Sequence, residues 1–120
     1  QPSVTEIHHA RKLDMPSGTA ITLAEHIIAA SNQKKRWELG HEEKSPDILP
    51  IDAIRQGDVT GTHTARWEGP YDSISLTHEA HSRNGFAAGA LLAAQWIIGK
   101  TGVFSMRDVI GDVLPLSGKP

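Results

Sequence analysis

The densest run of side chains able to do acid, base or anion chemistry is Glu6-Ile7-His8-His9-Ala10-Arg11-Lys12-Leu13-Asp14-Met15-Pro16-Ser17-Gly18-Thr19-Ala20. In a straight strand His8 and Lys12 would share a face but stand about 13 Å apart, since each residue advances roughly 3.3 Å. That is too far for one small substrate. A turn within residues 9–12 instead gathers His8, His9 and Lys12 around one pocket, setting a titratable imidazole beside an ammonium with three donors. Pro16-Ser17-Gly18-Thr19 supplies the complementary half. A helix start exposes backbone N–H groups, Gly18 lets a ligand approach the backbone, and the Ser17 and Thr19 hydroxyls add donors. The combination predicts a small dianionic substrate with a proton-transfer step nearby. Each piece also has a plainer reading: Ser17 alone is a helix N-cap, and a His-His pair alone is a structural or surface feature.

Other constellations are weaker. His63, His78 and His81 open an alternative, a metal-dependent lyase or hydrolase, with His78-x-x-His81 as the closest pair and His63 on a neighbouring predicted strand. With no Cys the usual structural zinc signatures are absent, and no carboxylate is spaced as an obvious fourth ligand. Lys34-Lys35-Arg36 beside Trp37 is diluted by Glu38, Glu42 and Glu43, and reads as solvated surface rather than a nucleic-acid patch. Neither a Walker loop nor a Gly-x-Gly-x-x-Gly fingerprint occurs, so no nucleotide site is expected in these residues.

The elements that must position these groups follow from period and punctuation. Ser3 to His8 reads as a strand running into the polar segment 9–15, and Ser17-Gly18-Thr19 opens a helix over Ala20 to Ala30 with Ile21, Leu23, Ala24, Ile27 and Ile28 as its apolar stripe. Asn32 to Pro50 shows no sustained period and reads as a connecting excursion. Three strands in meander order are expected at Ile51–Arg55, Val59–Trp67 and Tyr71–Ala80, with Ile74 and Leu76 on one face. Arg83-Asn84-Gly85 opens a second helix, Phe86 to Ile98, apolar on nearly every side and therefore expected to be deeply buried. Residues 103–111 suggest a short helical turn capped by Ser105, before a loose end bearing Pro and Gly.

These elements predict an α+β fold, a two-layer domain in which a mixed β-sheet carries two long helices on one face. If Ile51, Ala53 and Val59 make the other face apolar, self-association is its cheapest cover, so that face is expected to serve oligomerisation.

Composition bounds these readings. The chain has 120 residues, 38% of them hydrophobic, with 12 Lys+Arg, 14 Asp+Glu and no Cys. That is enough to bury about two-thirds of the unfolded surface in one domain without disulfides, and thiol chemistry is excluded. A formal charge of −2 gives no basic field for nucleic acid or anionic lipid. No apolar run approaches the roughly 20 residues that span a bilayer, and no leader-like segment opens the chain, so a cytoplasmic protein is expected. The start at Gln1, directly into Val4-Thr5-Glu6-Ile7, suggests excision from something longer.

The run from Glu6 to Ala20 closely resembles the signature of the 4-hydroxy-tetrahydrodipicolinate (dihydrodipicolinate) reductases of lysine and diaminopimelate synthesis. The resemblance continues through residues 55–64 and 76–83 to Met106-Arg107-Asp108-Val109-Ile110-Gly111. It implies that His8 is the acid/base histidine, Lys12 the proton-donor lysine, His9 a substrate-binding histidine, and Ser17, Gly18 and Thr19 the carboxylate-binding step. Arg83 and Phe86 resemble positions near the closed cleft and the cofactor. The substrate would be a small cyclic dicarboxylate, reduced by NADH or NADPH. Residues 1–120 would be the C-terminal substrate-binding and tetramerisation domain of a homotetramer. A preceding Rossmann domain, absent from this sequence, would hold the cofactor and set the choice of nucleotide. The isolated domain is expected to be inactive. A competing expectation is a non-catalytic oligomerisation module, in which His8 and Lys12 are replaceable.

Overall fold

The computed structural model describes residues 1–114. In chain order the elements are β1 (Pro2–His8), α1 (Gly18–Ala30), β2 (Arg36–Leu39), β3 (Ile48–Arg55), β4 (Gly61–Glu68), β5 (Ser73–Ala80), α2 (Asn84–Trp96) and α3 (Met106–Val113). They divide into two units, residues 1–81 and the residues from 82 onward. The architecture is α+β, built on a mixed sheet, as the sequence predicts.

In the first unit the five strands lie in the order β2-β3-β1-β4-β5. β1 runs parallel to β3, pairing Val4 with Ile51 and His8 with Arg55, and antiparallel to β4, pairing Glu6 with His63. The meander expectation therefore fails at its first step: β3 does not pair with β4, because β1 lies between them. A parallel β1–β3 pair needs a crossover, and α1 with β2 supplies one. Central placement matters for the site, since the inward residues of β1, Val4, Glu6 and His8, are all buried.

α1 begins where the Pro-Ser-Gly-Thr step says it should. Ser17 is the N-cap in extended geometry, and its hydroxyl accepts the Ala20 N–H at 3.1 Å. Ala20, Ala24 and Ile27 face the sheet and form the core with Val4, Leu49, Ile51 and Ala65. The two alanines let the helix approach closely, and Leu49 and Ile51 are completely buried, each worth about 1.5–3 kcal/mol of transfer free energy. Ile51 thus points at α1 rather than at an exposed sheet face. By alternation Ala53 shares its side of β3, and Val59 precedes β4. The far face carries Thr5, Ile7, Ile54, Thr62 and Thr64, a largely polar surface rather than an apolar one.

The excursion over 32–50 contains a strand that its composition hides. β2 pairs in parallel with β3, Trp37 opposite Leu49 and Leu39 opposite Ile51. Four residues are too few to show a period. Nor are the charges here all solvated: Lys34 is 1% exposed, its ammonium donating to Glu43 Oε2 at 2.7 Å and to the Ile48 carbonyl at 2.9 Å. A buried ammonium persists only when so paired.

In the second unit, α3 starts at Ser105, whose N–H donates to the Asp108 carboxylate at 2.8 Å, so the expected cap is present. Trp96 stacks edge-on with Phe104 at 5.1 Å and donates its indole N–H to Asp112 at 2.9 Å. The deep burial expected for α2 does not occur: none of its residues is buried, and Leu91 is 67% exposed. One eight-residue helix cannot cover a helix that is apolar all round. The loose end bearing Pro and Gly falls at 115–120, outside the described residues.

Candidate active site

Where β1 ends, the chain turns as the distance argument required. The His8 carbonyl accepts the Gln56 N–H at 2.9 Å, Ala10 N–H donates to the Gly57 carbonyl at 3.0 Å, and Lys12 N–H closes a turn on the His9 carbonyl at 3.1 Å. Gly57 sits at φ 53°, a left-handed conformation that favours glycine. The turn brings the Lys12 ammonium within 2.9 Å of Asp14 Oδ1. Lys12 also lies close enough to the His63 ring to act on it electrostatically.

The centre of the arrangement is Glu6, a residue that motif reading leaves without a role. Its side chain is fully buried and holds three residues together through four contacts. Oε1 lies 3.4 Å from His8 Nδ1 and accepts from Arg55 Nη1. Oε2 accepts the Ser17 N–H at 2.6 Å and Arg55 Nη2 at 3.3 Å. Arg55 Nη2 also donates to the Asp14 carbonyl at 2.7 Å, clamping the loop. Burial by itself raises the Glu6 carboxyl, but the bonds from Arg55, Ser17 and His8 outweigh it and hold the group at about 2.

His63, which the sequence raised only as a metal candidate, is the second addition. Its ring meets that of His8 edge to face, centroids 5.1 Å apart, and its Nε2 lies 3.0 Å from Ser17 Oγ. Burial first, and then repulsion from a protonated His8, lowers its affinity for a proton. The hydrogen bond from Lys12 keeps the Asp14 carboxyl below its ordinary value.

The predicted residues sort accordingly. Ser17 is committed to the protein, its N–H to Glu6 and its hydroxyl to Ala20 and His63. The next two N–H groups, of Gly18 and Thr19, have no protein acceptor among the described residues, and both residues are exposed. The Gly18 and Thr19 N–H groups are therefore the ones open to an external acceptor, with Ser17 organising the helix start. Thr19 also opens onto a groove of about 470 Å³ lined by Leu23, His63, Ala65, Leu76, Thr77 and His78. His9 is half-buried at the turn. Arg83 and Phe86 lie in the second unit, at the N-cap and first turn of α2, both exposed. His63 and His78 are register partners, but among the described residues no three His, Cys, Asp or Glu side chains are grouped to hold a metal ion.

Gly61 is opposite His8, and a methyl group built on it would stand 3.1 Å from His8 Nε2. Gly61→Ala is therefore expected to displace the imidazole by a few tenths of an ångström. It should lower turnover of the full-length protein by about tenfold, because positioning errors near 1 Å cost about a hundredfold. Steady-state kinetics beside a thermal melt will read the two effects apart.

Residues 1–110 match the profile of the family described as "Dihydrodipicolinate reductase, C-terminus". The chain belongs to that family. Among curated relatives, the 4-hydroxy-tetrahydrodipicolinate reductase of Christiangramia forsetii is 49% identical over 92% of this chain and 45% of its own length. That of Aquifex aeolicus is 46% identical over 90% of this chain and 42% of its own. The chain thus spans less than half the length of these reductases. A solved structure, "Dipicolinate bound Dihydrodipicolinate reductase from Paenisporosarcina sp. TG-14", superposes with a TM-score of 0.63 at 25% identity, over 81% of this chain and 39% of that one. Among the described residues no helix is long and apolar enough to cross a membrane.

Proposed function

We propose that the chain is the substrate-binding part of an NAD(P)H-dependent reductase that converts 4-hydroxy-tetrahydrodipicolinate to tetrahydrodipicolinate in lysine and diaminopimelate biosynthesis. The observation that carries this reading is the shared carboxylate of Glu6, which ties the His8 imidazole to the first N–H of the α1 start. An acid/base group and an anion-binding helix end are thereby locked in one frame, with Lys12 on the connecting turn. The dipicolinate named with the related solved structure is a planar ring with two carboxylates, the ligand class such a frame fits.

In this reading the Gly18 and Thr19 N–H groups take one carboxylate and Lys12 the other, while His9 lines the pocket. His8 and Lys12 manage protons as negative charge builds in the ring, and donors already in place stabilise that charge without reorganising. The nicotinamide supplies hydride when bound. The lack of a glycine fingerprint in this sequence supports dinucleotide binding mainly outside these residues. The greater length of the relatives supports a separate dinucleotide-binding domain preceding this one, with Arg83 and Phe86 near the cleft between them. The same reading makes the protein a cytoplasmic homotetramer assembled through the sheet.

Calorimetry with pyridine-2,6-dicarboxylate tests the binding half directly. Weak saturable heat from the 120-residue chain is the expected result. Absence of heat both from the chain and from the full-length protein with NADH or NADPH would overturn the reading.

A further inference from the structure

We infer that Glu6 is a positioning residue for catalysis: it fixes His8 in the tautomer that carries the proton on Nδ1 and so reserves Nε2 for exchange with substrate. The inference rests on the reading of His8 as the acid/base group and adds to it the atom that acts and the reason that atom is chosen.

The argument is one of donor and acceptor counting. Held ionised at about 2, Glu6 only accepts at neutral pH. Its Oε2 is taken by Ser17 N–H and Arg55 Nη2, and its Oε1 by Arg55 Nη1 and by the edge of His8 that carries Nδ1, 3.4 Å away. A carboxylate facing a ring nitrogen is satisfied only if that nitrogen bears hydrogen. The free imidazole favours the other tautomer, so the protein must impose this one. At the opposite edge, Nε2 has no partner among the described residues and looks onto Gly61, the one residue type that leaves the space beside it open. The ring is buried enough, at 11% side-chain exposure, for the carboxylate contact to matter.

The charged and titratable groups near His8 come from several elements: Glu6 on β1 and His63 on β4 meet the ring, Arg55 on β3 holds Glu6 and the Asp14 carbonyl, and Lys12 on the loop and His78 on β5 act on His63. Of these, Glu6 alone contacts Nδ1. Arg55 neutralises the carboxylate without touching the ring, and His63 meets the ring by its edge. The same carboxylate anchors the helix start through Ser17, so imidazole orientation and carboxylate capture share one reference point.

Long-range nitrogen–proton correlation spectra of the nitrogen-15-labelled chain, recorded where His8 is neutral, decide the tautomer. The expected pattern is a protonated Nδ1 and an unprotonated Nε2; the reverse pattern would overturn the inference. This measurement needs no variant, and it is separate from the calorimetry that tests the reading beneath it. In the full-length protein Glu6→Gln supplies the second arm. With its amide oxygen held by the Ser17 N–H, its nitrogen faces Nδ1 and cannot accept, so the Nδ1–H population should fall. Turnover should drop by about 10- to 100-fold, the range found when the partner that orients a metal-bound histidine is removed, while dipicolinate affinity stays within about threefold. Equal losses in turnover and affinity would assign Glu6 a merely structural role and overturn the inference. If Glu6→Gln does not fold, the wild-type tautomer alone stands as the deciding result.

Discussion

Lys12→Ala in the full-length protein is expected to lower kcat by about 10²- to 10⁴-fold, the contribution usually made by a positioned proton donor. Affinity for pyridine-2,6-dicarboxylate should fall about 10- to 100-fold, since a charge-assisted hydrogen bond is worth about 1.5–3 kcal/mol. Folding should be untouched. Among the described residues the ammonium's one ion pair, with Asp14 at 2.9 Å, has an acid partner whose side chain is 63% exposed, and exposed pairs contribute about 0–1 kcal/mol. Lys12→Arg separates the two roles: a guanidinium keeps the charge for the carboxylate but never gives up its proton, so binding should recover while kcat stays low. A Lys12→Ala protein with wild-type turnover would remove Lys12 from the chemistry and favour the module in which it is replaceable. Steady-state rates, calorimetry and a thermal melt on one preparation suffice.

The largest effect on stability is expected at Arg55, which no motif marks as structural. Arg55→Met leaves the Glu6 carboxylate in place, fully buried, with only the Ser17 N–H and His8 as partners. Breaking a buried pair from one side costs about 3–5 kcal/mol, because the remaining charge is desolvated without compensation. Removing both partners, as in Glu6→Met with Arg55→Met, should recover much of that loss for the same reason. The pH dependence carries the same signature. The Glu6 carboxyl is lowered from 4.5 in the unfolded chain to about 2 in the folded one, so its contribution is complete above 4.5 and is lost as pH falls through about 2. Wild-type stability should therefore decline between those values. In Arg55→Met, with burial now the dominant influence on the carboxyl, the decline should flatten or reverse. Urea unfolding at pH 3, 5 and 7 measures all of this, and a loss under 1 kcal/mol in the single variant would contradict the account.

Local information located the helix start and the turn of the candidate site. The start of α1 is legible from Pro16-Ser17-Gly18-Thr19 because capping is a contest among adjacent groups, and Ser17 does accept the Ala20 N–H. The turn after His8 is legible too, since an extended run to Lys12 would put the two groups too far apart. Glu6 was open to a sharper reading. It lies two residues before His8 on the same face of a strand, so alternation sends it inward, and a buried carboxylate demands a cation. What alternation does not say is which cation. Arg55 answers only because β3 runs parallel beside β1, a pairing invisible to a reading that expects a meander.

The 120 residues alone determine the helices, four of the five strands, the nest at the first helix and the family signature, all of which rest on neighbours within a few positions. Tertiary structure decided the rest. It put β1 at the centre, sent Lys34 into the interior with Glu43, spent the Ser17 amide on Glu6 and set His63 against His8. The physical reason is the same in each case. A charged or polar side chain goes inside only when a partner distant in sequence satisfies it, and that partner exists only once the strands have chosen their order.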